Sequence, residues 1–407
     1  MTIAETIDAN WRAEVAFLKA LVRVPSDNPP GDCARAAEVA AMELASLGFA
    51  VERHKVPDAV VHAHGMVSAT NLIVRKTFGS GNGPVVALNA HGDVVPPGEG
   101  WTVDPYAAVE RDGALYGRGV AVSKSDFATY AFALLALQAN PDGLDGGIEL
   151  HFTYDEEAGG YIGPKWLIDQ GLTKATMAIS AGFSYAITTA HNGVLHLEVT
   201  VRGKQAHAAM PATGADALEA TVPILAAIYG ERQRLSGIAS RETGIGSPQI
   251  TVGLISGGIN TNVVPDKITF RIDRRIVPEE NGAEVEKALV GLIEASLPKG
   301  KGVSVECRRI MLAEPLRPLP GVETLTNTIA KNAAAVMGVA VAPTGVPLYT
   351  DARHYAAAGI PTVLYGAGPR SILEANAHGA DEHLQLSDLR TATEVIALTL
   401  ADLLRKT

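Results

Sequence analysis

The sequence predicts an α/β protein in two parts, a larger α/β domain interrupted by a smaller α+β domain. Three observations predict it. The chain has 407 residues, more than a single hydrophobic core usually serves. Short branched apolar runs alternate with helical stretches through its first part, the pattern of a sheet with crossover helices. From Gly193 the pattern becomes strand, helix, strand, strand, helix, strand, and after about Met311 it returns to α/β. The division expected is residues 1–192 with 307–407 for the larger domain and 193–306 for the insert.

In chain order, residues 11–24 put Val15, Leu18, Leu21 and Val22 on one helical face, and the prolines at 25–30 end that helix. Residues 34–47 form a second helix, stopped by Gly48. Residues 51–56 and 71–76 read as strands, with a loop at 57–70 and a turn at 79–84. Residues 85–89, Val-Val-Ala-Leu-Asn, are a short run rich in branched side chains and read as a buried strand. Residues 96–112 form a long loop rich in Gly and Pro, a length that is often functional inside a compact domain. Ser123 suits the N-cap of a helix over 124–139. A strand at 150–154, a helix near 165–170 and a strand near 175–180 complete this part. The insert reads as strands at 195–201, 249–255, 268–276 and 303–307, with helices at 215–229 and 283–297. The return brings a helix over 322–337, a strand over 362–365 and a helix over 387–404.

Composition bounds the function. The chain is 47% hydrophobic and 19% charged, as a globular protein is, and its net charge of −10 argues against nucleic acid as a partner. Cys33 and Cys307 are the two cysteines, so no disulfide framework is implied and a reducing compartment is the default. The polar, acidic N-terminus has no signal-peptide core, and no apolar stretch reaches the roughly 18 residues of a membrane span. The expectation is a soluble cytoplasmic protein that binds neither nucleic acid nor membrane.

Two of the strands end in chemistry. The strand at 85–89 delivers His91, with Asp93 two residues on, where it could accept the second ring N–H of His91 and fix its tautomer. The strand at 150–154 runs into Glu156 and Glu157. Imidazole and carboxylate ligands beside a free carboxylate base are what a hydrolytic metal site needs. His378 lies in a late His-Gly-Ala-Asp-Glu segment. Other histidines, such as His54, His62, His64 and His151, read as structural or surface residues.

These segments together resemble the dimetal exopeptidase and deacylase family that includes acetylornithine deacetylase, succinyl-diaminopimelate desuccinylase, aminoacylase and carboxypeptidase G. The resemblance runs nearly end to end: His91-Gly92-Asp93, Tyr116-Gly117-Arg118-Gly119, Asp155-Glu156-Glu157, Gly203-Lys204 with His207 and Pro211, Asn262-Val263-Val264-Pro265, Asp273 with Arg275, Thr350-Asp351 with Arg353, Gly359-Ile360-Pro361, and His378 with Asp381-Glu382. It implies an α/β/α sandwich domain with a mixed sheet that binds the metal and carries the chemistry, split by an α+β lid that dimerises. It also implies that His91, Glu157 and His378 are metal ligands, Glu156 the general base, and Asp93 the support of His91. By the same resemblance His207 on the lid stabilises the oxyanion in a partner subunit's site, and Asn262 and Arg353 hold a substrate carboxylate.

The departures from the family pattern carry as much weight. Where the family reads Gly-Arg-Gly-x-x-Asp-x-Lys-Gly, this chain has Val122 in place of the metal-bridging Asp. Where a second acidic ligand is expected, it has Ala181. Asp126 lies about one helical turn past Val122 and reads as a helix-surface or dipole-stabilising acid rather than a displaced ligand; Ser123-Lys124 reads as an N-cap with a surface lysine. Two divalent ions about 3.5–4 Å apart need a bridging anion, so one divalent transition metal ion, Zn²⁺ or Mn²⁺, is expected. The function expected first is hydrolysis of an amide-type C–N bond in a small carboxylate-bearing substrate, an N-acyl amino acid or a dipeptide. The alternatives are aminohydrolysis of an activated aromatic amine, of the 5-nitroanthranilate type, and a non-catalytic binding protein. A homodimer or higher homo-oligomer through the lid is the expected assembly.

Overall fold

The structure is a computed structural model that describes residues 1–300 and 302–406. It forms two compact units, one of Met1–Thr189, Pro318–Thr344 and Thr350–Thr407, the other of Ala190–Arg317 and Gly345–Tyr349. The elements run α1 (Ile3–Val22), α2 (Ala34–Ser46), β1 (Val51–Lys55), α3 (Asp58–Ala63), β2 (Thr70–Phe78), β3 (Val85–His91), β4 (Val109–Arg111), β5 (Ala114–Tyr116), α4 (Lys124–Ala139), β6 (Gly146–Thr153), α5 (Pro164–Asp169), β7 (Met177–Ser180) and β8 (Ile187–His191). The second unit holds β9 (Gly193–Arg202), α6 (Ala217–Ser236), β10 (Gln249–Gly257), β11 (Lys267–Ile276), α7 (Gly282–Ser296) and β12 (Ser304–Ala313). The chain returns through α8 (Val322–Met337), β13 (Pro343–Val346), α9 (Ala352–Ala357), β14 (Thr362–Leu364), β15 (His383–Gln385) and α10 (Leu386–Leu403).

In the first unit an eight-stranded mixed sheet has the order β1-β2-β6-β3-β7-β14-β8-β13. Its centre is parallel: β3 pairs in parallel with β6 and β7, and β14 with β7. Four neighbouring strands therefore end at one edge, where such sheets place their ligands. A small sheet of order β15-β5-β4 lies apart from it. Helix α4 packs against β3 and β6 on one side and α1 and α10 on the other. That is why its sequence is apolar all round: Phe127, Tyr130, Ala131, Phe132 and Leu134 are all buried. The stacked rings of Phe127 and Phe152, 3.9 Å between centroids, join it to β6.

The second unit is an antiparallel sheet of order β10-β11-β9-β12. Leu195, Leu197, Val199 and Val201 alternate inward from β9 to pack with Ile224 and Ile228 of α6 and Ile293 of α7.

Helix α1 begins at Ile3 rather than near residue 11, because Thr2 and Glu5 form a reciprocal capping box and Ile7 continues the buried face. Helix α3 occupies part of the expected loop at 57–70. β4 lies within the expected loop at 96–112, and β8, β13, α9 and β15 were not expected at all; each is six residues or shorter, too short to show a period.

Candidate metal centre

His91 is the last residue of β3 and pairs in register with Thr153 of β6, so Asp155, Glu156 and Glu157 come out beside it. Close approach is needed here. A Cβ on Gly92 would lie 2.5 Å from Tyr154 Cε1, so glycine alone lets the two strand ends pass. Glu156–Ala158 turn as a single 3₁₀ turn directly after the strand.

Asp93 holds that turn. Its Oδ1 accepts the amide N–H of Glu156 at 3.2 Å, and its Oδ2 accepts that of Glu157 at 3.1 Å and the Asn28 side-chain amide at 2.9 Å. His91 Nδ1 lies 3.0 Å from the Asp93 backbone carbonyl and 3.4 Å from its carboxylate. The backbone carbonyl is thus the nearer tautomer-fixing partner, and the carboxylate is engaged chiefly with the glutamate turn. Asn28 was not anticipated; nothing near it in sequence points to Asp93.

With Nδ1 engaged, His91 Nε2 faces Glu156 Oε2 at 3.9 Å. Burial alone would lower the His91 pKa, but Asp93 and the charges of Glu156 and Glu157 outweigh it and raise it well above the ordinary value. Glu156 is raised well above the usual carboxylate range by burial, which His91 offsets and Glu157, Asp351 and Asp93 reinforce. Both glutamates still reach the surface, with side chains 14% and 11% exposed. Among the described residues, His91, Glu156 and Glu157 form the group of three whose candidate ligand atoms all lie within 4.8 Å of one another. His378 joins through Glu157 alone, its Nε2 3.4 Å from Glu157 Oε1, a contact that raises the His378 pKa. The expected trio of His91, Glu157 and His378 is therefore not the tightest grouping; Glu156 stands closer to His91 than that assignment foresaw.

The His378 loop is fastened from behind. Arg118 and Glu382, both buried, pair at 2.6 Å, and Arg118 also donates to the carbonyls of Pro97 and Gly379. Glu382 Oε1 accepts the amides of Ala121 and Val122, so one ion pair ties the His378 loop to the loop carrying Val122. The side chains of Val122 and Ala181 carry no metal-binding atom, and the Ala181 amide donates to the Asn89 carbonyl of β3. Ser123 does not cap α4 through its side chain; its Oγ accepts the amide of His91 at 3.0 Å and donates to the His91 carbonyl at 2.9 Å. Lys124 is buried rather than on the surface, donating to the carbonyls of Leu21 and Val24, and burial lowers its pKa to about 8. Asp126 is likewise buried, not on a helix surface, and burial pushes it up to about 7.

Helix α9 borders the site. Arg353 is buried; it donates to the Gly159 carbonyl just after the glutamate turn, its guanidinium lies 5.3 Å from the Tyr161 ring centroid, and His354 Nε2 reaches the same carbonyl at 3.0 Å. Asp351, at the N-cap of α9, is buried without an ion pair to Arg353 at hydrogen-bond distance among the described residues; burial raises it to about 7. In the second unit His207 and Asn262 are both exposed and adjacent: Ala208 donates to the Asn262 carbonyl at 3.0 Å, and His207 Nδ1 accepts the Ala209 amide at 3.1 Å. No helix is long and apolar enough to cross a membrane among the described residues.

A family model described as peptidase family M20/M25/M40 matches residues 87–402. A succinyl-diaminopimelate desuccinylase of Acidiphilium cryptum is 29% identical over 390 residues, covering 94% of this chain and 96% of that protein. An acetylornithine deacetylase of Myxococcus xanthus is 29% identical over 375 residues, covering 89% and 90%. Among solved structures, a Bacillus subtilis protein described as a dinuclear metal-binding peptidase of the M20 family superposes with a TM-score of 0.69 at 16% identity, over 98% of this chain and 100% of that one.

Proposed function

This chain belongs to the M20/M25/M40 peptidase family and is a metal-dependent hydrolase of C–N bonds in small substrates, and from that premise we propose that it cleaves the amide bond of a carboxylate-bearing molecule, an N-acyl amino acid or a dipeptide, using one divalent ion and Glu156 as general base. The observation that carries the one-ion reading is the donor set. His91, Glu156 and Glu157 bring ligand atoms within 4.8 Å of one another and His378 lies 3.4 Å from Glu157, while positions 122 and 181 present only a Val and an Ala. Imidazole and carboxylate donors of this kind fit one ion of the Zn²⁺ or Mn²⁺ class. No carboxylate at 122 is present to offset the repulsion of a second ion.

His91, Glu157 and His378 would hold the ion, which when bound supplies a Lewis acid that polarises the scissile carbonyl and acidifies water. The remaining work belongs to the chain. Asp93 fixes the glutamate turn through two backbone amides, so the Glu156 carboxylate is presented in one place. Glu156 takes a proton from the attacking water and returns it to the departing nitrogen. Arg353, a guanidinium whose Nε has no hydrogen-bond partner among the described residues, is assigned with Asn262 to the substrate carboxylate, and His207 to the oxyanion. Dimerisation is supported by the second unit's edge strand β10, where Leu254 and Ile255 are 61% and 55% exposed on an unpaired edge.

The experiment is metal content per chain by elemental analysis before and after loading with Mn²⁺ or Zn²⁺, beside hydrolysis of a panel of N-acyl amino acids and dipeptides. One ion per chain, activity that rises on loading, and Glu156→Gln losing roughly 10²–10⁴-fold in turnover while keeping its ion are the expected results. Two ions per chain would overturn the one-ion reading, and full activity in Glu156→Gln would overturn the assignment of the base.

A further inference from the structure

Helix α4 meets three strand ends with its first turns. Ser123, just before the helix, makes two hydrogen bonds to the backbone of His91 at the end of β3. Asp126 reaches the next two strands. Its Oδ1 accepts the amide of Ala367, after β14, at 2.7 Å, and through that loop it reaches the one after β7. One turn further along the same helix face, Tyr130 donates to the Tyr365 carbonyl at 2.8 Å. The loop after β14 is bonded in turn to the loop after β7: Gly368 donates to the Gly182 carbonyl at 2.9 Å, and Ser184 donates back to the Gly368 carbonyl at 2.9 Å. The surroundings are built around the carboxylate. A Cβ on Gly366 would lie 1.9 Å from Asp126 Oδ1, so the loop after β14 leaves room for the acid and for nothing larger at that position.

The placement of Asp126 relative to the missing ligands gives it meaning. Ala181 stands where a carboxylate on the loop after β7 would have been bound by metal to the end of β3, and Val122 stands where a second would have bridged. Without them, no metal crosslink ties the end of β7 to its neighbours. We propose that Asp126 is a positioning residue that replaces this lost crosslink, pinning the loops after β7 and β14 to the start of α4 so that the wall of the site beside His91 keeps its shape without a second ion. The bond to Ala367 is shielded from water, the setting in which leaving a backbone amide without its acceptor costs most.

The test uses the full chain and needs no turnover, so its failure is separate from failure of the one-ion reading. Backbone hydrogen exchange is followed at residues 181–185 and 366–370 in the wild type, Asp126→Ala and Asp126→Asn, with Mn²⁺ affinity measured alongside. An asparagine Oδ1 can still accept the Ala367 amide. Asp126→Ala is expected to lose on the order of 10–100-fold in protection at Ala367 and at Gly368, whose amide bonds the loop after β7, and to weaken Mn²⁺ binding by about 10–100-fold, while Asp126→Asn keeps most of both. Gly366→Ala, which displaces the carboxylate from the other side, is expected to reproduce the exchange pattern and serves where Asp126→Ala does not fold. Unchanged protection in both Asp126→Ala and Gly366→Ala would overturn the proposal. So would loss of the ion in Asp126→Asn as complete as in Asp126→Ala, because the acid would then be a ligand.

Discussion

Replacing Glu382 isolates what the buried ion pair contributes to the site. Glu382 and Arg118 are each about 1% exposed and pair at 2.6 Å, and the glutamate's other oxygen accepts the amides of Ala121 and Val122 at 3.0 and 3.4 Å. Glu382→Gln keeps an acceptor for those amides but leaves the Arg118 charge buried without its partner, which costs about 3–5 kcal/mol. Glu382→Ala also strands the two amides and costs a further ~1–3 kcal/mol. Arg118→Met with Glu382→Leu removes both charges and is expected to recover much of the loss, since matched apolar replacement of a buried pair is often neutral. The assay is urea denaturation read by tryptophan fluorescence, with Trp101 as a local reporter because its ring lies 5.2 Å from the Arg118 guanidinium carbon. A Glu382→Gln variant within ~0.5 kcal/mol of wild type, or a double variant no more stable than the single, would refute the reasoning; the first lies below any buried-pair cost and the second denies that a stranded charge is the cause.

Glu14 makes stability depend on pH. It is buried between α1 and α10, Thr393 donates to it, and burial raises its pKa to about 8. A raised folded pKa means the unfolded chain ionises first, so stability is fullest below about pH 4.5 and falls by ~1.4 kcal/mol per pH unit up to pH 8, roughly 5 kcal/mol in all; Glu14→Gln should flatten this slope in denaturation curves from pH 5 to 8. Gly92→Ala puts a Cβ 2.5 Å from Tyr154 Cε1 and should cost about 1–3 kcal/mol and weaken the bound ion, read by denaturation and by metal titration. Leu254→Glu with Ile255→Lys charges the exposed β10 edge and should shift a dimer to monomer in light scattering, leaving the secondary structure unchanged by circular dichroism.

Long elements were legible in the sequence because their periods were. Helices α4 and α8 begin and end where composition and flanking residues place them. The glutamate pair and His91 were legible because strand ends deliver both. Short elements such as α9 and β15 were not, and with α9 went the surroundings of Arg353, whose guanidinium turns out to brace the carbonyl of Gly159. The burial of Lys124 and Asp126 was also illegible. Both charges are housed by partners distant in sequence, Leu21 and Val24 for the lysine and Ala367 for the acid, and charged residues at the start of a helix ordinarily face water.

The same rule explains where the reading of Asp126 went astray and where that of Asp93 was incomplete. Each was judged by its nearest neighbour in sequence, His91 for the one and the α4 N-terminus for the other. Each in fact spends its carboxylate on backbone amides of loops that leave the sheet: Glu156 and Glu157 for Asp93, Ala367 for Asp126, whose loop is bonded on to Gly182. A carboxylate that accepts a buried amide removes that donor's penalty and fixes the loop that carries it. The two acids stand on opposite sides of His91, one holding the end of β6 and the other the ends of β7 and β14. A centre short of two metal ligands can therefore keep its shape from the protein side. For Asp126 the pH dependence follows from burial: the folded chain favours its protonated form, so opening the loops it holds becomes easier as pH rises from the ordinary aspartate range up to about 7. Amide exchange at Ala367, corrected for its intrinsic rate and followed from about pH 5 to pH 8, measures that slope, and protection that grows as pH rises to about 7 would refute it.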